Sequence, residues 1–273
     1  MNISLHIPKQ ININEVNVNI VPDYMYSFVQ KLLNTAASND LNIEDLTDIY
    51  FTSDYKKEIQ EFNKKHNLDV TVTDDENYGQ GFGINIGYFN EQNEVKCAIF
   101  YDSLVSQLFY VMNINQEPFP TEQINQTFNI VYHELVHCHD ETIFRNLIMN
   151  LTNDEGLRYR KAHNIWAEYI ANFYAGLTYS YRKIEEIKDS FIKNVETINN
   201  NYDVPTGLLM ISHDIGNLHS QGVRLEDIVE QNEEYDYYFE LEELLIELLE
   251  DYSNWSDITV FDKMINSLNN YFN

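Results

Sequence analysis

The segment VYHELVHCHDE, residues 131–141, gathers three of the chain's eight histidines within seven positions and sets a glutamate directly after the first. His133, Glu134 and His137 form the pattern HExxH. On a helix, residues four apart lie one turn above each other, so both imidazoles can converge on a single metal ion. Glu134 is offset around the helix and can reach a water held by that metal. Zinc acidifies the water it binds, and a carboxylate can take the proton as that water attacks a carbonyl. The pattern points to a hydrolase using one Zn2+, with Glu134 as general base, on condition that the segment is helical. Residues 121–145 contain no Gly or Pro and carry Ile124, Phe128, Val131 and Leu135 at helical spacing, which meets that condition. The plainer alternative is a pair of surface histidines on an amphipathic helix.

A catalytic zinc usually has three protein ligands. An HExxHxxGxxH arrangement would need Gly at 140 and His at 143, where this chain has Asp140 and Ile143. The other solution takes a glutamate from a later helix. NIWAEYIANFYAG (164–176) offers Glu168, set among aromatic and alanine residues where an unpaired carboxylate would be costly. Ala171 and Ala175 are small enough for close helix approach. His163, Glu155 and Asp154 are rival ligands, and a surface ion pair with Arg158 is the plainer use of Glu168. Asn172, a turn after Glu168, and Asp140, near a turn after His137, stand where each could hydrogen-bond a ligating histidine. His139 and Cys138 fall on other sides of the helix. His213, on the otherwise apolar stretch GLLMISHDIGNLH (207–219), is a candidate donor to the oxyanion of peptide hydrolysis, although most lone histidines of this kind are satisfied core or surface groups. Twenty tyrosines leave no single one distinguished.

These residues together make the chain resemble zincin metallopeptidases of the gluzincin, thermolysin-like type. Glu168-x-x-Ala171-Asn172-x-x-Ala175 is similar to the E-x-x-A-N-x-F-A pattern of ImmA/IrrE-type regulatory metallopeptidases. His133 to Asp140 matches the HExxHxxD of the anthrax lethal factor-like group. The gap from HExxH to Glu168 is longer than in thermolysin, and Asn172 stands where thermolysin-like enzymes carry Asp. The resemblance covers roughly residues 80–180 and implies an α+β, zincin-like fold. A small twisted mixed sheet would precede the HExxH helix, and a mostly helical C-terminal part would follow. It also implies His133, His137 and Glu168 as zinc ligands, and an edge strand that holds extended peptide by backbone pairing. Gly83 and Asn85 on the strand-like run 81–87 would be its substrate-binding residues. Glycines that merely relieve crowding in an ordinary hairpin are the alternative.

The elements that must position these groups are legible as periods. Residues 48–54 and 68–74 read as strands, with a helix over 55–66 between them. Residues 81–89 and 94–102 flank a polar turn and read as a hairpin. Phe82, Ile84, Ile86 and Tyr88 share one face, and Gly81, Gly83, Asn85 and Gly87 the other. Cys97 falls at a core position. Helices are expected over 102–112, 121–145, 156–179, 180–199, 206–220, 236–251 and 259–271. The whole reads as one unit, with a sheet-containing part to about 115 and a helical part from 116 onward.

Net charge is −27, a field that repels phosphate backbones and argues against nucleic-acid binding. It suits a peptide or protein substrate, a basic one included, and solubility accounts for it equally well. Residues 225–251 hold twelve acids and no base, which reads as a solvated face or as a docking surface for a basic partner. Two cysteines allow one disulfide at most. Neither a signal peptide nor an 18-residue apolar run is visible, so a cytoplasmic location is expected, with leaderless secretion the alternative. The second functional reading is a non-catalytic interaction protein that keeps zinc for stability and docks through its acidic tail. The intact Glu134 speaks against it, since a structural site needs no base.

Overall fold

Strong period-two alternation produces the expected hairpin, and the helical periods produce helices close to their expected limits. The computed structural model describes residues 3–13, 15–20, 22–70, 82–92, 94–114, 121–148, 151–200, 204–252 and 254–272. In chain order the strands and helices are β1 (Ser4–His6), β2 (Gln10–Ile13), β3 (Val16–Asn19), α1 (Pro22–Ser38), β4 (Leu46–Phe51), α2 (Tyr55–His66), β5 (Gly83–Phe89) and β6 (Val95–Tyr101). Helices follow: α3 (Ser103–Ile114), α4 (Thr121–Ile148), α5 (Asn153–Tyr179), α6 (Ile184–Asn199), α7 (Val204–His219), α8 (Asp236–Glu250) and α9 (Asp262–Phe272). The fold is α+β, with a small mixed sheet and a predominance of helix. It divides into two compact units, Met1–His139 and Asp140–Asn273. The division falls inside α4, not near residue 115 where strand patterning ends.

In the first unit a four-stranded sheet has the order β1-β4-β6-β5, parallel across β1, β4 and β6 and antiparallel between β6 and β5. Gly83 lies opposite Tyr101 and Phe89 opposite Val95. Ile86, Tyr88, Ala98 and Phe100 pack one face of the sheet against Ile59 and Phe62 of α2. The α2 limits are set by its caps. The Asp54 side chain accepts from the Lys57 N–H at 3.2 Å, and Asn67 ends the helix in the left-handed region at φ 54°. Phe28 of α1, Phe51 of β4 and Phe109 of α3 meet edge to face, adding directional contact to their burial. The strand expected over 68–74 does not form at 68–70, and the remainder lies outside the described residues, as does Gly81. The β2–β3 hairpin and α1 are additions to the expected elements.

In the second unit α5 begins with a capping box between Thr152 and Glu155. Helices α5, α6 and α7 pack together, and at Gly216 helix α7 comes close against the backbone of α5. A Cβ there would lie 2.4 Å from the Tyr169 carbonyl oxygen, so only glycine fits. Buried Asp214 ties the group together by accepting from Arg182 (2.8 Å), Ser190 (2.8 Å) and Asn194 (2.9 Å). Among the described residues, no helix is long and apolar enough to cross a membrane.

Candidate metal centre

From Thr127 to Asp140 every residue of α4 is buried except His133 and His137. The helix is therefore enclosed nearly all round, and its two openings are imidazoles one turn apart. Their Nε2 atoms lie 2.8 Å apart, with the ring planes close to perpendicular. Tetrahedral zinc with Zn–N near 2.0–2.1 Å spaces two ligand nitrogens about 3.3 Å apart, so the pair fits the ion within half an ångström. One ligand atom from each of His133, His137 and Glu168 lies within 4.8 Å of the others. Among the described residues, this is the group of three or more such side chains that could hold a metal ion. Glu168 has the same local character as the histidines, for it is the one half-exposed residue between Ile165 and Asn172.

Contacts within the first unit fix the HExxH segment. The Tyr101 hydroxyl donates to the Val131 carbonyl at 2.8 Å, and the Asn39 amide donates to the Tyr132 hydroxyl at 2.7 Å. His139 is the bystander its position implies: its Nδ1 accepts from the Asn42 N–H at 2.8 Å, which leaves the ring proton on Nε2. Glu134 is buried against the bare face of β5. A Cβ on Gly83 would lie 2.7 Å from the Glu134 Cγ and 3.0 Å from its Cδ and Oε1. The glycine is thus a recess for the carboxylate, and at this position the bare face is filled by Glu134. Burial pushes the Tyr55 phenol far above its usual value, and the charges of Glu134 and Asp102 add to the rise. Burial and then Glu134 do the same to Tyr101. Both phenols keep their protons. Neither was distinguishable by spacing among twenty tyrosines.

Asn85, two residues along the same face, has both ends of its amide buried and without a hydrogen-bond partner. Strand β5 is an edge strand among the described residues.

In the second unit Asn172 has a post other than the expected one. Its Nδ2 donates to the Glu168 carbonyl at 2.7 Å and its Oδ1 accepts from Asn217 at 3.1 Å, so it secures the Glu168 turn to α7 and is not spent on a histidine ring. His213 lies one turn before Asn217, as Glu168 lies one turn before Asn172. That bond therefore sets His213 and Glu168 at the same level of the parallel α5–α7 pair. His213 is the one half-exposed residue between Ile211 and Leu218. Arg182 presents an N–H to its Nδ1 at 3.3 Å, which places the ring proton on Nε2. Asp140 accepts from Trp166 (2.9 Å) and Tyr252 (3.1 Å) and meets His163 Nε2 at 2.7 Å. Two of the three rival ligands are engaged elsewhere, His163 by Asp140 and Glu155 by the Thr152 cap. No protein-family model matches the chain, and no curated protein or solved structure matches it either.

Proposed function

We propose that the chain is a zinc-dependent metallopeptidase of zincin type, with His133, His137 and Glu168 as metal ligands and Glu134 as general base. The observation that carries this reading is the exposure pattern of α4: in a stretch otherwise buried, the two half-exposed residues are His133 and His137, and their Nε2 atoms lie 2.8 Å apart. A buried helix gains nothing in stability by opening at two histidines. Two imidazole nitrogens placed side by side are what a metal cation requires. The distance of the Glu168 oxygen from both rings supports it as third ligand.

A bound zinc ion supplies Lewis acidity, polarising a peptide carbonyl and making water acidic enough to lose a proton near neutral pH. The chain's own groups do the rest. Glu134, confined by the Gly83 recess, takes the proton of the attacking water and hands it to the leaving amine. The unpartnered Asn85 amide would present its two N–H donors and its acceptor oxygen to a peptide backbone lying along β5 once the strand edge shifts to uncover it. His213, protonated on Nε2, supplies a hydrogen bond to the oxygen on which negative charge develops.

The test is digestion of a peptide library by the wild type and by Glu134→Gln, with metal analysis of both. The expected result is cleavage by the wild type, a loss of roughly 100-fold or more in the variant, and about one zinc in each. Equal turnover by the two proteins would remove Glu134 from the mechanism. A zinc-containing wild type that cleaves nothing would leave a stabilising metal in its place.

A further inference from the structure

Cys97 of β6 and Cys138 of α4 are both buried and both free thiols, yet their sulfurs lie 2.6 Å apart. Two unbonded thiols do not normally approach so closely, and an S–S bond needs only about half an ångström less. The contact is not an isolated coincidence of two core residues. Strand β6 and helix α4 are also joined by the Tyr101–Val131 hydrogen bond. Four residues of strand span about 13 Å and seven residues of helix about 10.5 Å, so Cys97–Cys138 and Tyr101–Val131 are two rungs of one attachment. The Cys97 backbone is held on both sides. Its N–H donates to Asp45 at 2.9 Å, and its carbonyl accepts from Thr47 at 3.1 Å.

We infer that Cys97 and Cys138 are an oxidisable dithiol, and that a small peroxide converts them to an intramolecular disulfide cross-linking β6 to α4 beside His137. In the first step one sulfur attacks a peroxide oxygen, giving a sulfenic acid and water. In the second, the other thiol displaces water from the sulfenic sulfur as the S–S bond forms. Two thiols and one hydrogen peroxide give one disulfide and two waters. Burial selects the oxidant: hydrogen peroxide can enter through local opening, whereas a bulky disulfide such as oxidised glutathione meets a closed wall. Burial also slows reduction once the bond exists. The inference is independent of the metallopeptidase reading, since it concerns the anchoring of the helix and not what its histidines bind.

The experiment treats reduced full-length protein with hydrogen peroxide, then unfolds it and counts alkylatable thiols, with intact mass, peptide mapping and thermal unfolding in parallel. The expected result is a fall from two thiols to none, a mass loss of two hydrogens, and a peptide linking Cys97 to Cys138. A rise in Tm on the order of 10 °C should follow from closing a loop of this length. Cys97→Ser should show neither the cross-link nor the rise. Two thiols still free, oxygen added without loss of two hydrogens, or cross-links between chains would each overturn the inference.

Discussion

Asn85 carries a buried amide whose two ends find no partner, a state that costs about 1–3 kcal/mol. Native chains seldom keep such a cost without use. If the amide is held ready for a peptide backbone, Asn85→Ala should raise Tm by a few degrees while lowering kcat/KM by roughly tenfold or more. A variant that gains stability and keeps full kcat/KM would show the amide to be idle. Opposite signs for the two measurements are what mark a binding group, because a purely structural residue moves both the same way. His133, His137, Glu168 and His213 were identifiable from residue type and helical spacing, since each is a polar group in an apolar run. The posts of Asn172 and Cys97 were not. They depend on Asn217 and Cys138, whose positions 45 and 41 residues away are set by packing that no local pattern encodes.

Between strand and helix, the decisive contact is Gly83 against Glu134. Gly83→Ala should cost about 1–3 kcal/mol through overpacking and displace the carboxylate. A shift near 1 Å is worth about 100-fold in rate, so kcat should fall well beyond what the loss of folded protein explains. Thermal unfolding beside steady-state kinetics measures both. An unchanged kcat would place the carboxylate out of the reaction. The hairpin holding Gly83 was legible because its alternation is regular over both arms. Helix α1 was not singled out, and β1 is only three residues long, too short for a period to show. The strand expected over 68–74 failed at its start, where Asn67 leaves α2 in the left-handed region and Leu68 bonds back to Asn63. Burial agrees with the acidic run as a solvated face: eleven of its twelve acids are exposed, and Glu242 alone is buried.

Across the whole molecule the charge is very uneven in kind. All five arginines lie in residues 140–273, and four of them hold carboxylates: Arg145 and Arg160 grip Glu141, Arg182 grips Asp214, and Arg224 grips Glu242 and Glu243. For Glu242, burial raises the carboxyl pKa, but bonds from His219, Arg224 and the Leu225 N–H outweigh it and the net shift is downward. For Glu141, burial again raises, and the charges of Arg160, His163 and Arg145 pull the net value down. A depressed folded pKa gives stability that is complete above the unfolded value of 4.5 and lost as the pH falls through the folded one. Tm should therefore hold from neutrality to about pH 5 and drop below it. Glu242→Gln should begin lower at pH 7 and lose less on acidification. Parallel curves for the two proteins would show that Glu242 contributes nothing to the acid transition.

Helix α4 owes its place to apolar enclosure, to the Tyr101 and Tyr132 hydroxyls and to the Asn42 bond, none of which involves an ion. On the proposed reading its imidazoles are consequently aligned before any ion binds, unlike those of zinc fingers, which fold only as they load. Stripping the protein with a strong chelator should abolish the proposed hydrolysis and leave the far-ultraviolet circular dichroism unchanged, and adding zinc back should restore the hydrolysis. A collapse of the dichroism on chelation would mean that the ion builds the scaffold it was thought merely to occupy.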